Sequence, residues 1–329
     1  MVARNGILVG LLAFAAWGQT SDKVFYFTHL DTSQAMQEVS NAVRGIGDIR
    51  DVSLDPAKRS LTVKGTAEQI AIAGWLTAEL DKSGTTPGTH DFPLNDPTTP
   101  LVQIIYLSHV DSPRDLQGIV NSVRSATDIQ RSFPVNQQKA IVVRGSAAQV
   151  KAVDWLLGEL DQTGPQTSGS PHEYRLLAAD WVTRSGDLVL QVATVTHLKT
   201  PQALQEATNL IRGMADIQRC FPVYPRMVLV IRGSDEQISL ANWLLQQLDG
   251  PGGQGTQEFK VGGPGNQVAQ VAYVNAATPQ SLQETVNEIQ SQAKMQRVFP
   301  FSQQRAVALR GTADQLSLAQ QVIQSRNGQ

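Results

Sequence analysis

Three histidines, His29, His109 and His197, stand at equivalent places in a repeating pattern, and they are the first residues to test for chemistry. Imidazole titrates near neutrality and is the commonest metal ligand. Either use requires several groups converging on one point. Here each repeat contributes a single histidine, and the fourth carries Asn275 instead. The reading favoured is a strand-end imidazole that bonds to the following helix cap. Carboxylates recur as well. Asp48, Asp128 and Asp216 each lie 19 residues after a histidine, but Lys294 at the fourth position shows that no acid is required there. Asp81, Asp161 and Asp249 close predicted helices, where the macrodipole disfavours a negative charge unless a local bond from the following linker offsets it. The chain has no Gly-x-Ser-x-Gly, phosphate loop, His-Glu-x-x-His or Cys-x-x-Cys. No catalytic residue, cofactor or metal ligand is therefore assigned. Cys220 is the one cysteine, so no intramolecular disulfide forms. It stands where other copies carry Ser132 and Val298 and reads as a small strand residue.

The elements that position these residues follow from spacing. Seventeen residues after the acids come Gly65, Gly145, Gly233 and Gly311, each in a Lys/Arg-Gly-Ser/Thr tripeptide. Ten further on stand Trp75, Trp155 and Trp243, with Gln321 in the last copy. A period conserved over four copies marks a repeat architecture. Each copy opens on an alternating apolar run, Val24 to Leu30 in the first, which reads as a strand. Ser112-Pro113, Thr200-Pro201 and Thr278-Pro279 are hydroxyl N-caps followed by proline at the first helical position. Met36/Val39/Val43 and Leu116/Ile119/Val123 space one apolar stripe along that helix. A hairpin follows, with its turn at Asn136 to Lys139 in the second copy. In the first copy Val52 and Leu54 are offset by one residue, so a shifted hairpin register is expected there. Gly65-Thr66, Gly145-Ser146, Gly233-Ser234 and Gly311-Thr312 open a second helix through capping boxes with Gln69, Gln149, Gln237 and Gln315. The glycine at this step is expected because the turn needs a permissive backbone.

The fold expected is α+β: four tandem βαββα modules of about 60 residues, each a three-stranded sheet with two helices on one face. Module boundaries fall at 22–82, 100–163, 188–250 and 266–326. Residues 83–99, 164–187 and 251–265 read as linkers, rich in Gly, Pro and polar residues, which makes the modules discrete. The stretch around Tyr174 and Trp181 is apolar enough to add a strand or pack on a neighbour.

This order of elements resembles the N-terminal periplasmic domains of bacterial secretins, ring-building modules with a KH-like fold. The residues that carry the resemblance are Leu61 to Thr66 through Leu80-Asp81, Ile141 to Ser146 through Leu160-Asp161, and their counterparts in the third copy. The fourth keeps Val307 to Thr312 and loses both the Trp and the Leu-Asp. The resemblance implies a periplasmic location and domains that pack side by side or engage partner subunits. A full secretin continues into a membrane-embedded barrel. This chain stops at Gln329 after the fourth module, so it is expected not to form a pore alone.

Composition agrees with an exported globular protein. Hydrophobic residues make up 41%, charged residues 17%, and the net charge is −2. That charge gives no footprint for nucleic acid or an anionic membrane, and no copy has, between its helices, the Gly-x-x-Gly loop of a true KH module. Arg4 followed by the apolar run Ile7 to Trp17 reads as a signal peptide over residues 1–18, cut before Gln19. Its eleven apolar residues fall short of the roughly 20 needed to span a bilayer. No membrane span remains after cleavage. The function expected is a non-enzymatic periplasmic scaffold, docking to copies of itself or to a secretin-type outer-membrane complex, with a homo-oligomer in prospect. The alternative is a monomeric module that binds a peptide or cell-wall polymer. Trp75, Trp155 and Trp243 are candidate interface anchors, although each adjoins a core leucine, which favours burial against its own sheet.

Overall fold

The computed structural model describes residues 20–84, 88–162, 171–177, 186, 188–250, 255–262 and 265–328. The expected signal peptide and Trp181 lie outside them. Two compact units are present, one ending at Gly84 and one comprising the rest of the chain. The first unit holds β1 (Ser21–Tyr26), α1 (Ser33–Gly47), β2 (Asp51–Asp55), β3 (Ser60–Gly65) and α2 (Ala67–Leu80). Its antiparallel sheet runs β1-β3-β2.

The second unit repeats this order three times. Its first module contains β4 (Gly88–Pro93), β5 (Leu101–Tyr106), α3 (Pro113–Thr127), β6 (Arg131–Val135), β7 (Ala140–Gly145) and α4 (Ala147–Leu160). Next come β8 (His172–Arg175), β9 (Val189–Thr194), α5 (Pro201–Ala215), β10 (Arg219–Val223), β11 (Val228–Gly233) and α6 (Asp235–Leu248). The last holds β12 (Thr256–Lys260), β13 (Val268–Tyr273), α7 (Pro279–Gln292), β14 (Arg297–Phe301), β15 (Ala306–Gly311) and α8 (Ala313–Asn327). The chain is thus α+β, with βαββα repeated four times.

Local chemistry fixes the helix ends. Thr32, Ser112, Thr200 and Thr278 each accept a hydrogen bond from the amide three residues on, at 3.1–3.2 Å. Thr66, Ser146, Ser234 and Thr312 make reciprocal capping boxes. The capping glutamines do a second job. Gln69 donates to the carbonyls of Gly47 and Asp48, and Gln149, Gln237 and Gln315 donate likewise to Thr127, Asp216 and Lys294. The start of each second helix thereby satisfies orphan carbonyls at the end of the first.

Three expectations need correction. The glycines of the Lys/Arg-Gly step do not have positive φ, so backbone permissiveness is not their reason. A Cβ on Gly65 would lie 2.8 Å from Gln69 Oε1, and one on Gly145 would lie 3.0 Å from Ile129 Cδ1. Close approach of the capping glutamine and the sheet end selects glycine.

The hairpin of the first module is not shifted either. Val52 pairs with Val63 as Ser132 pairs with Val143. What changes is the face that is apolar. Asp51, Ser53, Thr62 and Lys64 point away from the helices and are exposed. The equivalent face of the third module carries Leu190, Val192, Val228 and Val230, all buried in a cluster with the core of the second.

The linkers, finally, are partly strand. Sheets of the second unit run β4-β5-β7-β6, β10-β11-β9-β8 and β12-β13-β15-β14, so each gains a fourth strand from a Gly/Pro-rich segment. An edge strand pairs on one side only and needs few apolar residues, which is why composition concealed it. The three modules of this unit are not discrete. Ala269, Val271, Phe301, Ala306 and Ala308 of the last sheet belong to the core cluster of the module before it.

Candidate interaction surfaces

The recurrent His and Asp form one structural latch. Asp81 follows α2, and its carboxylate accepts from the amides of Thr28, His29 and Leu30 at 2.6, 2.9 and 2.8 Å. His29 Nδ1 lies 2.6 Å from the Asp81 carbonyl oxygen. Burial would raise the Asp81 pKa, but the hydrogen bonds from Thr28, Leu30 and His29 outweigh it and hold the carboxyl below its ordinary value. Asp161 repeats the geometry with Ser108 and His109, and Asp249 with Thr196, His197 and Leu198. The fourth module keeps a neutral version, in which the Asn275 amide donates to Asn327 Oδ1 at 2.7 Å. The partner of the His29 and His109 rings is therefore the end of the second helix, not the cap of the first, whereas His197 Nδ1 lies 2.9 Å from Thr196 Oγ1 and only its backbone amide reaches Asp249. The acid at that helix end bonds to the strand end of its own module, not to the following linker. Among the described residues, no three His, Cys, Asp or Glu side chains come together as a metal site would need.

The acids that follow the first helix have a different role. Asp128 and Asp216 occupy left-handed positions at the ends of α3 and α5, with φ of 56° and 55°. Each joins its module to the next. Asp128 Oδ1 accepts from Arg219 at 2.7 Å and Oδ2 from Arg232 at 2.8 Å. Arg232 is fully buried and also donates to the Ala126 carbonyl at 2.8 Å. Asp216 accepts from Arg297 at 2.7 Å and Arg310 at 3.1 Å, while Arg310 donates to the Met214 carbonyl. Hairpin turns complete both joints. Arg226 reaches the carbonyls of His109 and Gln162, and Gln304 those of Leu248 and Gly250. One joint is therefore built twice by equivalent residues.

Apolar contacts reinforce these joints. A Cβ on Gly213 of α5 would overlap the Phe299 ring, at 2.7 Å from Cε1. Gly213→Ala should therefore destabilise the last joint by about 1–3 kcal/mol, despite its better helix propensity. Gly158→Ala in α4 should stabilise by about 1 kcal/mol, because its Cβ meets nothing. Denaturant melts of the two variants check this opposition of sign.

Cys220 is buried in the same core cluster. Burial pushes its thiol up to about 12, which leaves it protonated and unreactive. A polar cleft of about 500 Å³ lies between Asp216, Glu236 and Arg310, and a more apolar groove of about 630 Å³ runs beside Phe221, Pro222 and Tyr224. The serine hydroxyls that line them are engaged within their own helices, Ser234 accepting from the Gln237 amide and Ser122 donating to the Gly118 carbonyl.

No protein-family model and no curated protein matches the sequence. Solved structures do. Aeromonas hydrophila ExeD aligns with 89% of this chain and 59% of its own, at 14% identity and a TM-score of 0.17. The N-terminal domain of the secretin XcpQ from Pseudomonas aeruginosa aligns with 68% of this chain and 98% of its own, at 14% identity and a TM-score of 0.23. GspD in the ETEC pilotin–secretin AspS–GspD complex aligns with 93% of this chain and 55% of its own, at 14% identity and a TM-score of 0.17. This chain is similar to secretin N-terminal domains. It spans 59% of the ExeD chain and 55% of the GspD chain.

The tryptophans of the second helices are half-buried. Trp155 packs on the core of its module and lies 5.5 Å from Tyr174 of β8, centroid to centroid. Trp243 makes the same 5.5 Å approach to Phe259 of β12. Both rings thus touch their own core and the edge strand of the next sheet. The sequence reading missed the arginines at the joints, although a signal was present. Arg219 and Arg297 follow the repeat acid Asp216 or its equivalent Lys294 by three residues, where the first copy has Asp51.

Proposed function

We propose that this chain is a non-enzymatic, extracytoplasmic assembly protein whose modules are docking units. The observation that carries this reading is the joint made twice, from the second module to the third and from the third to the fourth, by the same charged pairs and carbonyl contacts. A surface reproduced with its hydrogen bonds intact is built for protein–protein packing. The histidines and carboxylates that would otherwise suggest catalysis are occupied in latches and joints. No helix among the described residues is long and apolar enough to cross a membrane. Docking to copies of the chain, or to a secretin-type outer-membrane complex in the periplasm, is the use that follows. The mass of the exported chain in solution, measured by light scattering after size exclusion, is the test. A discrete multiple of the monomer is expected. A monomer that also fails to bind a secretin-type complex would discard this reading for a monomeric peptide- or polymer-binding module.

A further inference from the structure

We propose that the outer edge of β1 accepts an extended segment of a partner protein carrying an acidic–aromatic pair. The proposal deepens the assembly reading and rests on it.

The chain supplies its own precedents. In each sheet of the second unit, the strand equivalent to β1 is covered by an added antiparallel strand, so β4 pairs with β5, β8 with β9 and β12 with β13. The three added strands share a pattern. Asp91, Glu173 and Glu258 stand opposite Gln103, Gln191 and Gln270 in register. Phe92, Tyr174 and Phe259 follow them, turned to the other face of the sheet. Two of the glutamines donate to the facing acid, Gln103 to Asp91 at 3.0 Å and Gln270 to Glu258 at 2.6 Å.

The first sheet lacks this strand among the described residues, so β1 is an edge. An edge strand with unpaired backbone groups is a ready template for strand addition. Here the chemistry selects the guest. By register with β3, Lys23 occupies the position of the three glutamines. Its ammonium rests over the Phe25 ring, 5.3 Å from the centroid. A cation where the other sheets place an amide opposite an acid favours a carboxylate on the incoming strand. On the opposite face, Val24 is 44% and Tyr26 67% exposed, which offers apolar surface to the aromatic residue that follows the acid. The residue that the guest aromatic would face is Asp22, polar and exposed, so the contact is made diagonally with Val24.

A fluorescently labelled synthetic peptide copying Pro171 to Leu177 (PHEYRLL) is the probe, titrated into the full exported chain by anisotropy. Binding should slow amide exchange at Ser21–Tyr26. Lys23→Glu should weaken binding at least about fivefold, and a peptide with lysine in place of its glutamate should bind Lys23→Glu better than wild type. Protection confined to β5, β9 or β13, or an affinity indifferent to Lys23, overturns the proposal. So does the absence of binding at millimolar peptide. Light scattering of the wild-type chain, beside its peptide titration, separates this proposal from the broader reading. An oligomer that binds no peptide sinks the strand acceptor alone, and a monomer that binds the peptide sinks only self-assembly.

Discussion

Arg232→Ala should uncouple the second module from the third and destabilise their shared unit by about 3–5 kcal/mol. The guanidinium is fully buried, and it bridges the Asp128 carboxylate and the Ala126 carbonyl at the end of α3. Its removal leaves that carbonyl without this donor and removes one of two cations from Asp128. The Val192, Val228 and Val230 surface on the same face would then lose its registration against α3. Arg232→Met keeps much of the apolar stem and should recover part of the loss, since a buried ion pair contributes less than the cost of breaking it. Calorimetry of the full chain reads the outcome. The transition of the second unit should broaden or split in Arg232→Ala. A single unshifted transition would mean that apolar packing alone holds the joint. Arg310 is the equivalent residue of the last joint, and burial lowers its pKa while Asp216 counteracts that shift. It remains charged at any ordinary pH, so neither joint should weaken between pH 5 and pH 9.

Asp81→Ala should destabilise the first unit by about 3 kcal/mol, because three backbone amides, one of them buried, lose a charged acceptor. A unit of this size has a small core and little stability to lose. Asp81→Asn should cost less, since Asn327 fills the same role with one carbonyl oxygen in the fourth module. The two variants also differ in their response to acid. The folded pKa of Asp81 lies below its ordinary value of 3.8. Its stabilisation is therefore fully present above about that value and is lost as pH falls through the folded pKa. Wild type should lose stability in the first unit below about pH 4, whereas Asp81→Asn should lack that component. Thermal midpoints of the first unit at pH 7 and pH 3 test it, and parallel declines in both proteins would remove Asp81 as the cause.

Much of the module was written locally. Helix starts were legible at Thr66, Ser146, Ser234 and Thr312 because a cap is a contact between residues three apart, which sequence displays directly. The repeat itself was legible because residues with the same job recur at the same spacing. The glycine of the Lys/Arg-Gly step was also found, but its reason was not. Backbone φ and the approach of Gln69 to Gly65 are local, whereas the approach of Ile129 to Gly145 depends on how the chain after the first helix folds back on the sheet.

Tertiary structure decided the partners. His29 and Asp81 are 52 residues apart, and no periodicity within a strand or helix links them. Edge strands β4, β8 and β12 hid in polar segments, because pairing on one side needs backbone groups rather than apolar side chains. The offset of Val52 and Leu54 predicts a register shift, whereas the structure shows a change in which sheet face is apolar. In the first module the sheet face away from the helices is polar along β2 and β3, and Val24 and Tyr26 of β1 are exposed on it. In the third and fourth the same face is apolar and buried against the module before. Sequence by itself determined the four modules and their capped helices. Only the tertiary structure showed which faces meet, because a buried charge such as Arg232 and its acceptor are brought together by packing, across 104 residues of chain.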